Sequence, residues 1–123
     1  MHKLKIWGRN IELKVEYDCF DNENLLPNQN QSFDAFIDSS DVIESSKKQL
    51  EHFILNDKMA NIQEDSIDNI FRYVIPKTIY VIRSSENREI ALLCDYRFDI
   101  EHGIAILFKN EKFVKICSQD EVL

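Results

Sequence analysis

The stretch that decides the fold is residues 88–120, which read REIALLCDYRFDIEHGIAILFKNEKFVKICSQD. Its first segment, Arg88–Tyr96, is almost continuously apolar from Ile90 to Cys94, which is typical of a central strand covered on both faces. Gly103–Lys109 and Lys112–Ile116 are the next two strand-like runs, and Asn110-Glu111 supplies a turn between them. The stretch therefore predicts three consecutive antiparallel strands.

Two further regions predict strands upstream of this stretch. Apolar and charged residues alternate from Leu4 to Cys19, so one face of these strands is expected to be buried and the other wet. Gly8-Arg9-Asn10 interrupts the alternation and predicts a hairpin, with Trp7 beside it as a packing anchor. Thr78–Arg83 is rich in β-branched and aromatic residues and predicts another strand.

The middle of the chain predicts the helices. Asp21–Gln31 is rich in Asn and Gln around Pro27 and indicates a loop, and Ser32–Ile37 is interpreted as a short strand, a helix start being the alternative. A helix is expected from Asp41, with Glu44 completing a capping box and Ser39-Ser40 as alternative caps. Its apolar stripe should face the sheet and comprises Ile43, Leu50, Phe53 and Ile54.

A second, shorter helix is predicted from Asp65 to Tyr73, and Pro76 prevents its continuation. The 123 residues fit one domain. The prediction is therefore a single α+β domain over residues 1–123, with a mainly antiparallel sheet of about six strands. The two helices, inserted in the middle of the chain, should pack together on one face of that sheet.

Composition narrows the classes of function. The net charge is −7, and such a surface repels phosphate backbones and anionic lipids, so we expect neither nucleic acid nor membrane as a partner. The same charge attracts basic proteins, although many proteins are acidic for solubility alone. No apolar run approaches the ~20 residues of a membrane span, and the alternating N-terminus does not resemble a signal peptide, so a cytoplasmic location is expected.

The number and spacing of the cysteines indicate neither disulfide bonds nor a metal site. Cys19, Cys94 and Cys117 are odd in number, lie in strand-like runs and form no CxxC pair. Buried, reduced thiols are expected, and no zinc site or other cofactor is predicted.

The densest polar cluster is the loop Asp95–Gly103, whose candidate residues are Asp95, Tyr96, Arg97, Phe98, Asp99, Glu101 and His102. Three roles are open. His102 with Asp99 and Glu101 suggests a general base or a cation site, yet Glu101 and His102 are adjacent and point to opposite faces of an extended chain. In a structural role, Asp99 accepts backbone N–H bonds, Arg97 pairs with Asp95 or Glu101, and His102 donates to a carbonyl.

In the third role the loop binds a partner, with exposed Tyr96, Arg97 and Phe98 as anchors among the carboxylates. The sequence has no HExxH, GxSxG, EF-hand or glycine-rich phosphate motif. No catalytic residue and no metal ligand is therefore assigned.

The same region resembles a known family of small bacterial domains of unknown function. Their C-terminal signature reads W-D-x-E-H-G-hydrophobic and then F-x-N-G-x-x-V-x-I-G-x-Q-D. Here Phe98 stands where Trp is usual, and Glu111 and Cys117 stand where Gly is usual. The matching residues are Cys94–Ile106, Phe108, Asn110, Lys112, Val114, Ile116 and Gln119-Asp120.

The resemblance implies no enzymatic activity. Some members of that family are encoded near polymorphic or contact-dependent toxins, which implies an immunity role. We therefore expect a non-enzymatic acidic protein-binding module, and its specific form is an immunity protein that neutralises a basic, nuclease-type toxin by direct binding. The alternative is a small metal-binding or hydrolytic enzyme that uses Asp99, Glu101 and His102.

Overall fold

The computed structural model describes residues 1–19 and 23–123, and in these residues six strands form one sheet in the order β1-β2-β3-β4-β5-β6. Two helices, α1 (Pro27–Ile37) and α2 (Ser40–Leu55), lie between the second and third strands. The predicted α+β domain is confirmed. The strands are β1 (His2–Ile6), β2 (Arg9–Tyr17), β3 (Val74–Val81), β4 (Glu89–Tyr96), β5 (Ile104–Lys109) and β6 (Lys112–Ser118).

All neighbouring strands pair antiparallel except β2 and β3. Those two are parallel, with Lys14 opposite Thr78, because α1 and α2 form the crossover between them. The residues 88–120 form the predicted meander β4-β5-β6, in which Leu92 pairs with Ile106 and Ile106 with Ile116.

The helices cover one face of the sheet. Ile43, Leu50 and Ile54 of α2 are fully buried, as the predicted stripe requires, and Phe53 is half-buried against the same core. Trp7 is buried as an anchor and donates its Nε1–H to Ser46 Oγ of α2 at 3.1 Å. The opposite face carries a smaller apolar cluster made of Ala91, Leu93, Ala105 and Cys117.

Two of the local predictions are wrong. Ser32–Ile37 is the C-terminal half of α1, and the predicted loop becomes helical at Pro27; Asp21 and Asn22 of that loop lie outside the described residues. Pro27 occupies the first turn, where its missing N–H costs nothing, and the Gln29 side chain accepts from Leu26 N–H at 2.9 Å.

The predicted helix Asp65–Tyr73 is also wrong, because only a short 3₁₀ turn forms at Ile70–Arg72. The Asn69 side chain accepts from Phe71 N–H and starts that turn, so the segment runs into β3 without a longer helix. The N-cap residue of α2 is Ser39, one of the two alternative caps, and not Asp41. Within the described residues no helix combines the length and the apolar character needed to span a membrane.

Candidate functional site

The loop between β4 and β5 is a compact turn held by backbone hydrogen bonds. Asp99 N–H donates to the Tyr96 carbonyl at 3.2 Å, and Gly103 N–H donates to the Asp99 carbonyl at 2.8 Å. The Asp99 carboxylate also accepts the backbone N–H of His102 at 3.3 Å. Asp99 is therefore a turn-forming residue, as the structural interpretation predicted.

Gly103 closes the loop in a conformation that suits glycine. Its φ is +65°, and a Cβ there would lie 2.5 Å from Gln119 Nε2 and 2.7 Å from the Cys94 carbonyl oxygen. The Gln119 amide uses this space to donate to the carbonyls of Cys94 and Ile104, at 3.0 and 3.4 Å. The glycine thus lets the C-terminal segment tie β4 to β5.

His102 bridges the loop and the C-terminal segment. Its Nδ1 lies 3.0 Å from Asp99 Oδ1, and its Nε2 lies 3.6 Å from Asp120 Oδ2. The hydrogen bond and charge of Asp99 raise the pKa of His102, and the charge of Asp120 adds to this. The imidazole faces two carboxylates and not the predicted carbonyl, an arrangement that favours its protonated form.

These contacts form one unit, which we call the loop–tail cluster: Asp99, His102, Gly103, Gln119 and Asp120. Both halves of the sequence resemblance, the E-H-G run and the Q-D pair, contribute to it. Sequence reasoning missed Gln119 and Asp120 as partners of the loop. The only signal for them was that the two halves occur together in the signature.

The aromatic residues of the loop point inward. Tyr96 is 3% exposed, and its hydroxyl donates to Asp57 Oδ2 at 2.6 Å. Phe98 stacks on Tyr73 at 5.5 Å between ring centroids and meets Tyr96 edge-on at 5.6 Å. The expectation of exposed anchors is therefore wrong for Tyr96, which is buried, and Phe98 is half-buried with its ring packed against the core. Burial, followed by the Asp57 hydrogen bond, raises the pKa of Tyr96.

The exposed side chains of the loop form its outer surface. Ile100 is 84% exposed at the tip, and sequence reasoning did not select it. Arg97 and Ile100 line a cleft of about 320 Å³ together with Arg72, Tyr73 and Ile75. The predicted pairing of Arg97 with Asp95 or Glu101 is not formed in the described part of the chain, where Asp95 lies 3.9 Å from Lys77 instead.

The residues of the enzymatic alternative are only partly brought together. Asp99 and His102 are in hydrogen-bond contact, but Glu101 forms neither a hydrogen bond nor an ion pair with His102 among the described residues. Within residues 1–19 and 23–123, no group of three or more His, Cys, Asp or Glu side chains is arranged to hold a metal ion. Catalysis or metal binding by Asp99, Glu101 and His102 stays a prediction.

A comparison with protein families gives one match. The model of a family described as "Domain of unknown function (DUF6985)" matches residues 2–123, so it includes the sheet, both helices and the loop–tail cluster. No curated protein and no solved structure matches the chain. The functional argument therefore depends on the geometry of the chain itself.

Proposed function

We propose that the chain, which belongs to the DUF6985 family, is a non-enzymatic protein-binding module that contacts its partner with the outer surface of the β4–β5 loop. The observation that supports this proposal is Ile100, a large aliphatic side chain that is 84% exposed at the tip of a well-tethered loop. Ile75, which is 40% exposed, lines the same cleft as Ile100, and contiguous apolar surface rimmed by polar residues is typical of interaction sites.

The loop is held in place before any partner arrives. Its base is tethered by the loop–tail cluster, and its middle is attached by Phe98, which stacks on Tyr73. Ordering a flexible loop costs free energy on binding, so a loop that is already ordered retains more of the interaction energy. Ile100 is thus presented as a preorganised anchor.

Charged side chains surround this anchor. Arg72, Arg97 and Asp95 line the cleft beside Ile100, and the neighbouring Glu101 is exposed, so both signs of charge are present. Arginine is enriched at interface positions that contribute most to binding, because its planar group pairs with carboxylates and stacks on aromatic rings. We propose that Ile100 inserts into an apolar pocket of the partner. Polar groups of the partner then pair with the charged side chains around Ile100.

The partner that suits the whole molecule is a basic protein. A net charge of −7 speeds the arrival of a basic domain by long-range attraction. The specific form of the proposal is an immunity protein that occludes the active site of a nuclease-type toxin, in line with the family resemblance described above. The supporting facts are the charge, the exposed loop and that resemblance.

Co-expression with the product of the adjacent gene tests the proposal. We expect a complex that survives purification, and we expect Ile100→Asp to weaken it at least tenfold, as measured by calorimetry, because an anchor is lost and a carboxylate is desolvated. Val114→Asp is the matched control: Val114 is also an exposed aliphatic residue, but it lies on β6 and not in the loop. It should leave the affinity within about twofold.

Two results would contradict the proposal. One is the absence of any complex with neighbouring gene products combined with no toxin-like domain among them. The other is equal affinity of the Ile100→Asp variant and the wild type, with both shown by circular dichroism to be folded.

A further inference from the structure

A second cavity lies away from the loop tip. It is a groove of about 870 Å³ between the C-terminal half of α2 and β6, which we call the α2–β6 groove. This volume is within the range of about 300–1,000 Å³ that small-molecule sites occupy. Neither Ile100 nor Arg97 lines it, so it is separate from the surface that the proposed function uses.

Apolar side chains form the walls of the α2–β6 groove. Phe53 of α2 and Phe113 and Ile116 of β6 are half-buried and line it. Each phenyl ring is supported from the core, because Phe53 contacts Tyr96 at 6.0 Å and Phe113 contacts Phe108 at 6.4 Å between centroids. The walls are therefore preformed, and an apolar occupant would remove their remaining exposed area from water.

The rim of the groove has the opposite charge to the molecule as a whole. Lys48, His52 and Lys58 line it, and all three side chains are exposed. Neither lysine has an ion-pair partner in the part of the chain that the structure describes. In a protein of net charge −7, this places uncompensated cations around an apolar cleft.

The one carboxylate in the groove wall is already engaged. Asp57 Oδ2 accepts the Tyr96 hydroxyl at 2.6 Å, and its Oδ1 accepts the Met59 N–H at 3.0 Å. Both oxygens of Asp57 therefore accept hydrogen bonds within the chain, whereas the ammonium groups of Lys48 and Lys58 remain available to a ligand.

We infer that the α2–β6 groove binds a small organic monoanion with an apolar body, such as a medium-chain carboxylate. The apolar body lies against Phe53, Phe113 and Ile116, and the carboxylate pairs with Lys48 or Lys58. We take the occupant to be a small molecule because the volume of the groove is that of a ligand site and the exposed cations Lys48 and Lys58 lie beside a short apolar wall.

Titration of the ¹⁵N-labelled full chain with octanoate tests this inference. We expect saturable amide shifts confined to residues 48–58 and 113–116. Octanol should bind more weakly and octylammonium most weakly, since the three probes share one chain and differ only in the charge of the head group.

Charge reversal of the rim supplies the second readout. The double variant Lys48→Glu/Lys58→Glu should weaken octanoate binding by roughly tenfold, because two attractions become repulsions. The matched control is Lys3→Glu/Lys5→Glu, which makes the same change in net charge at exposed lysines of β1, at the sheet edge opposite β6, and it should bind as the wild type does.

The inference is overturned if octylammonium binds as tightly as octanoate, or if the amide shifts lie outside the groove or do not saturate. It is also overturned if the control variant loses as much octanoate affinity as the Lys48→Glu/Lys58→Glu variant. Groove shifts that appear only with a protein partner and never with octanoate would assign the groove to a macromolecule and also overturn it. All these results are independent of Ile100, so they do not bear on the proposed protein partner.

Discussion

Gly103 is the residue whose substitution tests the loop–tail cluster most simply. Gly103→Ala should lower the free energy of unfolding by about 2–3 kcal/mol, since the methyl group meets a backbone carbonyl at a positive φ. Gly8→Ala is the matched control, because Gly8 also has a positive φ but has no heavy atom within 4 Å of the added methyl group. Gly8→Ala should lower the free energy of unfolding by only about 1 kcal/mol, which is the cost of a positive φ for alanine without a steric clash. Equal costs in urea denaturation would contradict the close packing at Gly103.

His102 predicts a pH dependence. Because its pKa is raised in the folded state, its contribution to stability is complete below the ordinary value of about 6.5 and is lost as pH rises through the folded pKa. An NMR titration of the ring should show that Asp99→Asn lowers this pKa more than Asp120→Asn, since Asp99 is nearer, at 3.0 Å against 3.6 Å. A larger effect of Asp120→Asn, or a wild-type pKa at or below 6.5, would contradict the arrangement.

At the scale of elements, the buried side chain of Gln29 ties the start of α1 to the residue that follows β2. Gln29 is 0% exposed; its oxygen accepts from Leu26 N–H, and its amide donates to the Asp18 carbonyl at 3.1 Å. Gln29→Leu should cost about 2 kcal/mol in urea denaturation, because both backbone groups lose their partner. Gln31→Leu, at an exposed position of the same helix, should change stability by less than about 0.5 kcal/mol. Similar costs at both positions would contradict the role given to Gln29.

The strands were predictable from sequence, and α1 was not. Alternation and apolar runs report which faces are buried, so all six strands follow from local pattern, although β3 spans Val74–Val81 and not the predicted Thr78–Arg83. In α1 the buried positions are Gln29, Ser32 and Phe36, and two of these are polar residues satisfied by long-range or helical hydrogen bonds. Hydrophobic periodicity does not detect such a helix. The segment Asp65–Tyr73 has the apolar spacing of a helix, but the Asn69 side chain accepts the Phe71 N–H and caps only a short 3₁₀ turn there.

At the scale of the whole molecule, the sequence located the loop but not its orientation. It selected Asp99 and His102, which are in contact, and it predicted that Tyr96 and Phe98 are exposed, although Tyr96 is buried and Phe98 is half-buried against the core. The partners Asp57, Gln119 and Asp120 come from distant positions in the chain, and only the fold brings them to the loop. The exposure of Ile100 likewise depends on the fold, because Tyr96 and Phe98 pack inward and leave Ile100 on the outer surface.

The charge of the molecule predicts how a complex forms. With a basic partner, the association rate should fall steeply as ionic strength rises, while the dissociation rate changes little, because long-range attraction acts mainly on the encounter. Stopped-flow kinetics at increasing NaCl concentrations measures this. An association rate that does not depend on salt would contradict a basic partner and leave the loop surface to be tested separately.

Hydrogen–deuterium exchange of the chain with and without its co-purified partner tests the central proposal most directly. We predict that protection on binding is concentrated in residues 97–103 and is abolished by Ile100→Asp but retained in Val114→Asp. Protection confined to the helices or to the open sheet face, with the loop exchanging as in the free chain, would contradict the proposal that this loop is the recognition surface.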